Sequence, residues 1–302
     1  MFPGLFLYLG LFAVGLADAL LLWMTGSSLD PATILFAFGP AAIAGFLAGA
    51  ARIFREKPYP DRAVSLCDGL FFILTGAVLL PLLNHLTYRF AFPYTDVPLI
   101  AAEAFFILPW KSYFIFALEH RTFLQILFGA YALLGALSLG FFLSLMLSGQ
   151  RLRGEFYVAA YFLTAILCIL IGILFPTRGP FLSMLAGQVP KELMGNLVFN
   201  AYHVAYLEKL RIAGPLVLRL NDLPGLTCFP SFHTAAAIVF AWSSRNTSYF
   251  RMILIYAIVM IASTPIVGGH YFIDLFGGAV IAVITLLSLQ RTRRYALLFQ
   301  KP

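Results

Sequence analysis

Eight long apolar runs, separated by short polar, proline-rich or arginine-rich joints, set the pattern of this chain. They cover residues 4–25, 32–51, 66–86, 122–148, 156–175, 233–247, 252–269 and 272–290. A bilayer's hydrocarbon core is about 30 Å thick, and a helix needs about 20 mainly apolar residues to cross it. The runs therefore predict about eight transmembrane helices, of which 233–247 is the shortest. In lipid each backbone N–H and C=O must find its partner inside the segment, which makes helix the form such runs take. Two further stretches are apolar but interrupted. Residues 95–119 carry Asp96, Pro98, Glu103, Pro109 and Lys111, and predict one helix lying at the interface with Trp110, Tyr113 and Phe114 as its aromatic belt. Residues 176–230 form a long loop, in which Leu193–Leu218 mixes Tyr, His, Glu, Lys and Arg with aliphatics and predicts a second interfacial helix. The expected fold is an all-α integral membrane protein. Residues 1–65 form a transmembrane hairpin with its loop, and 66–302 a six-helix core carrying interfacial helices on one side.

Composition sharpens this picture. Of 302 residues, 61% are hydrophobic and 11% charged, against roughly 45–50% and about 25% in soluble domains. The net charge of +7 invites a nucleic-acid partner, but the basic residues are not gathered on one helix face. They fall in the loops, as membrane topology requires. Loops 52–65, 149–155, 245–251 and 291–302 hold 12 Lys and Arg, and the opposite loops hold 8 over much longer stretches. By density the first set is cytoplasmic, which puts both termini inside and His85, His120, His203, His233 and His270 at or near the outer side. The opening Met-Phe-Pro-Gly lacks a basic flank and a small-residue cleavage site, so it reads as a first span. Cys67, Cys168 and Cys228 show no metal or redox spacing and read as buried thiols. Asp18, alone in the first span, reads as a protonated structural carboxyl, and Gly45 with Gly49 as a close-packing pair.

Two segments depart from generic membrane sequence. In 228–234 a Pro-Ser turn leads straight into an apolar helix. Ser231 can cap that helix, whose first N–H groups face an anion, and His233 sits in its first turn. In 263–274 the pair Gly268-Gly269 breaks one helix, and His270 with Asp274 opens the next. A spacing of four predicts the two side chains one turn apart on one face. The carboxylate then holds one imidazole nitrogen and raises the basicity of the other. Alternating helix directions bring both histidines to one membrane surface. Two histidines and a carboxylate suit phosphoryl chemistry, with one ring attacking phosphorus and the other protonating the leaving oxygen. The same set could instead anchor helix ends or ligate a metal, although no further convincing ligand lies nearby.

These segments resemble the type-2 phosphatidic acid phosphatase superfamily, whose second and third motifs read P-S-G-H and S-R-x5-H-x3-D. Here they are Pro230-Ser231-Phe232-His233, with Phe for Gly, and Ser263, Thr264, His270 and Asp274, with Thr for Arg. The phrases 268–275 and 175–180 are similar to the inositol phosphorylceramide synthase branch. The resemblance implies that His270 is the nucleophile, His233 the general acid and Asp274 the residue orienting His270, without metal or cofactor. The first motif, K-x6-R-P, is missing: Arg178 is followed by Gly then Pro, and Ile171 stands where its Lys would be. Phosphate binding then falls to Ser231 with Arg178, Lys191 and Arg219. A phosphomonoester is close to a dianion and wants several fixed cations, whereas a phosphodiester carries one charge. The chain is thus expected to be a lipid phosphotransferase working from the extracytoplasmic side of a bilayer. It would move a phospho-headgroup from a phospholipid donor to a lipid alcohol through a phosphohistidine. The alternatives are a phosphatase that uses water on phosphatidic acid or another lipid phosphate, and a lipid transporter or binding protein. A transporter would show inverted repeats or broken midplane helices, and none stand out in the sequence.

Overall fold

A computed structural model describes residues 4–53, 61–185, 188, 202–219, 225–296 and 298. Its helices are α1 (Leu5–Thr25), α2 (Pro31–Ile53), α3 (Asp61–Thr87), α4 (Asp96–Phe105), α5 (Trp110–Glu119) and α6 (Arg121–Leu147). They continue as α7 (Arg151–Gly172), α8 (Tyr202–Arg211), α9 (Phe232–Ser243), α10 (Phe250–Val267) and α11 (Phe272–Gln290). Among the described residues seven helices are long and apolar enough to cross a membrane, or eight if the bent pair α4–α5 is one span. The protein is an all-α, multi-pass integral membrane protein.

α7 lies at the centre of the bundle. It packs against α3, α6, α9 and α11, and two thirds of its apolar stretch is buried, the largest share among the spans. The small residues Gly154, Ala159 and Ala160 among Phe156, Tyr157 and Val158 let neighbours approach it from several sides. α1 and α2 pack chiefly on α3 and turn Leu9, Phe12 and Phe46 outward, as lipid-facing side chains. Gly45 sits against the Phe71 ring, whereas among the described residues nothing lies within 4 Å of a Cβ built at Gly49. Asp18 is buried on α1, and neither carboxylate oxygen has a hydrogen-bond partner among the described residues.

Three expectations change. Residues 95–119 are two helices bent by 92°, not one. Pro98 sits in the first turn of α4, where its missing N–H costs nothing, whereas Pro109 and a left-handed Ile107 (φ 54°) break the chain between the pair. Trp110 and Phe114 are fully buried in a cluster with Leu118, Leu127 and Ile266, so they are core and not interfacial belt. The second interfacial helix is seen only as α8, because part of the stretch 193–218 lies outside the described residues. Past α8 the chain bends through Gly214, whose φ is 118°. Val217–Leu218 (β2) then pairs in parallel with Ser28–Leu29 (β1), tying the long loop to the N-terminal hairpin. Finally α9 has 12 residues, about 18 Å at 1.5 Å per residue, well short of the about 30 Å core.

Candidate active site

The start of α9 is held by its own sequence and by α11. Ser231 is the N-cap, its Oγ accepting from Thr234 N at 3.3 Å, while its own N–H donates to Asp274 O at 3.0 Å. The two helices meet this closely because of Gly278: a Cβ there would lie 2.2 Å from Ser231 O. Ser231 is fully buried, so its hydroxyl serves the cap. His233, in the first turn, stacks on Tyr131 with ring centroids 4.3 Å apart, and its Nδ1 lies 3.2 Å from the Tyr131 hydroxyl. A hydroxyl both donates and accepts, so this contact suits the neutral and the charged ring. Nε2 is the nitrogen left over.

His270 is not in α11, as the four-residue spacing had suggested. It lies in the link after Gly269, whose φ of 66° is a left-handed conformation that glycine adopts without strain. Its Nδ1 is 2.8 Å from Cys228 O and 3.4 Å from Asp274 Oδ2. A carbonyl only accepts, so Nδ1 carries the proton and Nε2 holds the lone pair. The backbone carbonyl is thus the nearer orienting group, a partner the sequence pattern does not reveal. Asp274, in the first turn of α11, accepts from Tyr271 N at 2.8 Å through Oδ2, and its Oδ1 has no hydrogen-bond partner among the described residues. The rings of His233 and His270 meet edge to face, 6.3 Å apart between centroids.

The bent pair supplies the support. Trp110 Nε1 donates to His270 O at 2.9 Å, and Glu103 Oε1 accepts from Ile273 N at 2.7 Å. Asp96 is a hub: its carboxylate accepts from Arg178 N, Gly179 N, Ser183 Oγ and Tyr271 Oη, at 2.8–3.1 Å. Burial holds the Tyr271 hydroxyl protonated, well above the usual range, as a donor to Asp96 requires. Burial likewise pushes the Cys228 thiol up, so it is no nucleophile at neutral pH. Two acidic residues in an otherwise apolar stretch were the available signal for this shell.

The cations lie elsewhere. Arg178 touches the site through its backbone only, while its guanidinium is exposed, pairs with Glu208 at 3.0 Å and lies 4.6 Å over the Tyr94 ring. As a phosphate ligand it would first have to leave Glu208. Arg219 is exposed just beyond β2, and Lys191 lies outside the described residues. The first N–H groups of α9 lie in the same helix turn as His233 and are free of intrahelical partners by position. Among the described residues no three His, Cys, Asp or Glu side chains converge to hold a metal ion.

Beside His233 a cavity of about 510 Å³ opens between α3, α6 and α7. Its walls are mostly apolar, including Phe72, Leu80, Leu139 and Phe162, with Asn84, Ser138, Tyr157 and Thr227 among the polar side chains that also line it, and Phe232 borders it while meeting Tyr161 edge-on at 5.2 Å. In comparisons with known proteins, a family model described as the PAP2 superfamily matches residues 97–288, from α4 to the last turn of α11. No curated protein and no solved structure matches the chain.

Proposed function

Because the chain belongs to the PAP2 superfamily, a group of phosphatases and related phosphotransferases, we propose that it transfers a phospho-headgroup between membrane lipids. The observation that carries this is the pair of histidine rings 6.3 Å apart, one with its Nδ1 proton held by Cys228 O. His270 Nε2 attacks phosphorus as the P–O bond to the donor lipid breaks. His233, as imidazolium, gives its Nε2 proton to the leaving oxygen and becomes neutral, its Nδ1 staying with Tyr131. The substrate's phosphate is the counter-charge that makes the imidazolium affordable beside a mostly apolar cavity. In the second half the acceptor hydroxyl gives its proton to His233 and attacks phosphorus, breaking the P–N bond and restoring both rings. Asp274 stabilises His270 while it bears the phosphoryl group, and no metal takes part.

Two features favour transfer over hydrolysis. No cation contact reaches the histidines among the described residues, which suits a phosphodiester monoanion better than a phosphomonoester. The cavity beside His233 is mostly apolar, and Phe232 narrows the way for water. Purified protein given a phosphodiester lipid and a lipid alcohol should form the transferred product faster than it releases phosphate, with excess chelator leaving the rate unchanged. Phe232→Gly should move the balance toward hydrolysis. Rapid release of phosphate from phosphatidic acid, with no transfer product from any acceptor tried, would leave a phosphatase.

The site is placed at the extracytoplasmic surface, with both termini inside, on the charge bias of the loops. Gly4, Glu155 and Tyr295 lie together at the end of the bundle opposite the histidines, which supports termini on one side. A single cysteine at position 292 should resist an impermeant thiol reagent in intact cells, and one at 222 should react. The reverse pattern would turn the protein over.

A further inference from the structure

His270 stands in the short link between α10 and α11, and its ring is placed by the backbone that carries it. Gly269 turns left-handed and leaves the α10 ladder, so Pro265 O loses the N–H that a continuing helix would bring it. His270 N reaches Thr264 O at 3.4 Å, a long bond. The stronger hold comes from α5. Trp110 Nε1–H lies between two carbonyls, 2.9 Å from His270 O and 3.3 Å from Pro265 O, one on each side of the break. The indole is itself fixed: it is fully buried and stacks on Phe114 with ring centroids 4.8 Å apart. A Cβ on Gly268 would lie 2.8 Å from His270 Cδ2 and 2.9 Å from Tyr131 Cε2. The backbone at the break therefore packs against the His270 ring and against the ring on which His233 stacks. A shift of the link moves one histidine relative to the other.

We propose that Trp110 is a positioning residue: its indole N–H staples the break after α10 and so sets where His270 holds its Nε2. The part this plays in the reaction rests on the phosphohistidine reading above; the placement of the ring does not. Asp96 and Glu103, on the other arm of the same elbow, hold Tyr271 Oη and Ile273 N. The link is thus gripped at three residues by one element, and the Trp110 contact is the grip that falls on His270 itself.

The test compares substitutions on α5 in the purified full chain in detergent. Trp110→Phe keeps an aromatic ring beside Phe114 and removes the N–H. Benzothienylalanine at position 110 keeps the bicyclic shape as well, and lacks only that N–H. Tyr113→Phe, one turn further along α5, removes a hydroxyl that donates to Ala262 O at 2.7 Å, in the body of α10. All three lose a hydrogen bond from α5, so a merely structural role predicts the same outcome for each. We expect both replacements at 110 to lower the kcat of the folded fraction by about three- to tenfold, the worth of one net hydrogen bond. KM should stay unchanged, because no substrate contact is removed, and Tyr113→Phe should leave kcat as it was. Independently of turnover, the ring-nitrogen NMR signals of His270 should shift with either replacement at 110 and stay in place with Tyr113→Phe. A kcat untouched by loss of the N–H, an equal fall with Tyr113→Phe, or a His270 signal that does not move overturns the proposal. His270→Ala in the same assay keeps the two readings apart: if turnover survives it the phosphohistidine mechanism fails, and the NMR signals alone decide the placement.

Discussion

At the arginine-rich end of the bundle Glu155 is buried on α7 and fully answered, by Arg294 Nε at 2.5 Å and Tyr295 Oη at 3.0 Å. Arg153, at the same end, donates to the backbone carbonyls of Ser243 and Arg245. At the histidine end Glu103 and Asp274 are as deeply buried, yet each keeps one oxygen without a hydrogen-bond partner among the described residues. An unmet buried polar atom costs about 1–3 kcal/mol. The buried carboxylate at the arginine-rich end is fully met, whereas at the histidine end Asp96 is met and Glu103 and Asp274 are not; we read the first end as structural and the second as the end that carries the proposed chemistry. The comparison assigns opposite phenotypes to buried residues at the two ends.

The largest effect should come from His270→Ala: loss of turnover by at least about 10³-fold, with the protein still folded in detergent. A variant with near-normal activity would end the covalent mechanism. Next is Gly278→Ala, whose new methyl must push the Ser231 carbonyl away. A shift of about 1 Å at the reacting groups is worth about 10²-fold in rate, and overpacking costs about 1–3 kcal/mol. We expect both, read as a lower kcat and a lower Tm. An unchanged kcat would show that the α9–α11 contact does not align the histidines. The smallest effect on catalysis should be that of Glu155→Ala. It strands the Tyr295 hydroxyl and should lower stability by about 1–3 kcal/mol, with the kcat of the folded fraction unchanged. A kcat that falls with stability intact would erase the distinction between the two ends.

Seven of the eight apolar runs became helices long and apolar enough to cross a membrane, since a run of about 20 apolar residues in lipid has no other way to satisfy its backbone. The motif around Ser231 and His233 was equally legible, because a capping serine before an apolar helix is a local rule. The sequence also held the hint it could not interpret: Asp96 and Glu103 read as blemishes in an interfacial helix. Their partners, Tyr271 and Ile273, lie about 170 residues along the chain, and no local pattern reports a contact of that range. The same distance hid Trp110, which was assigned to the lipid interface and is spent on the carbonyl of His270.

What the sequence by itself determined is the membrane architecture, set by hydropathy, and the superfamily, through the resemblance its motifs carry; it also put His233, His270 and Asp274 forward as the candidate site. Only the tertiary structure decided which nitrogen of His270 is free. The deciding partner is the carbonyl of Cys228, 42 positions earlier, and every residue's backbone carries such a carbonyl. It likewise took three-dimensional packing to turn Arg178 toward Glu208 and to enclose a mostly apolar cavity beside His233. Side-chain direction and empty space are properties of the assembled helices, and no single stretch of sequence contains them.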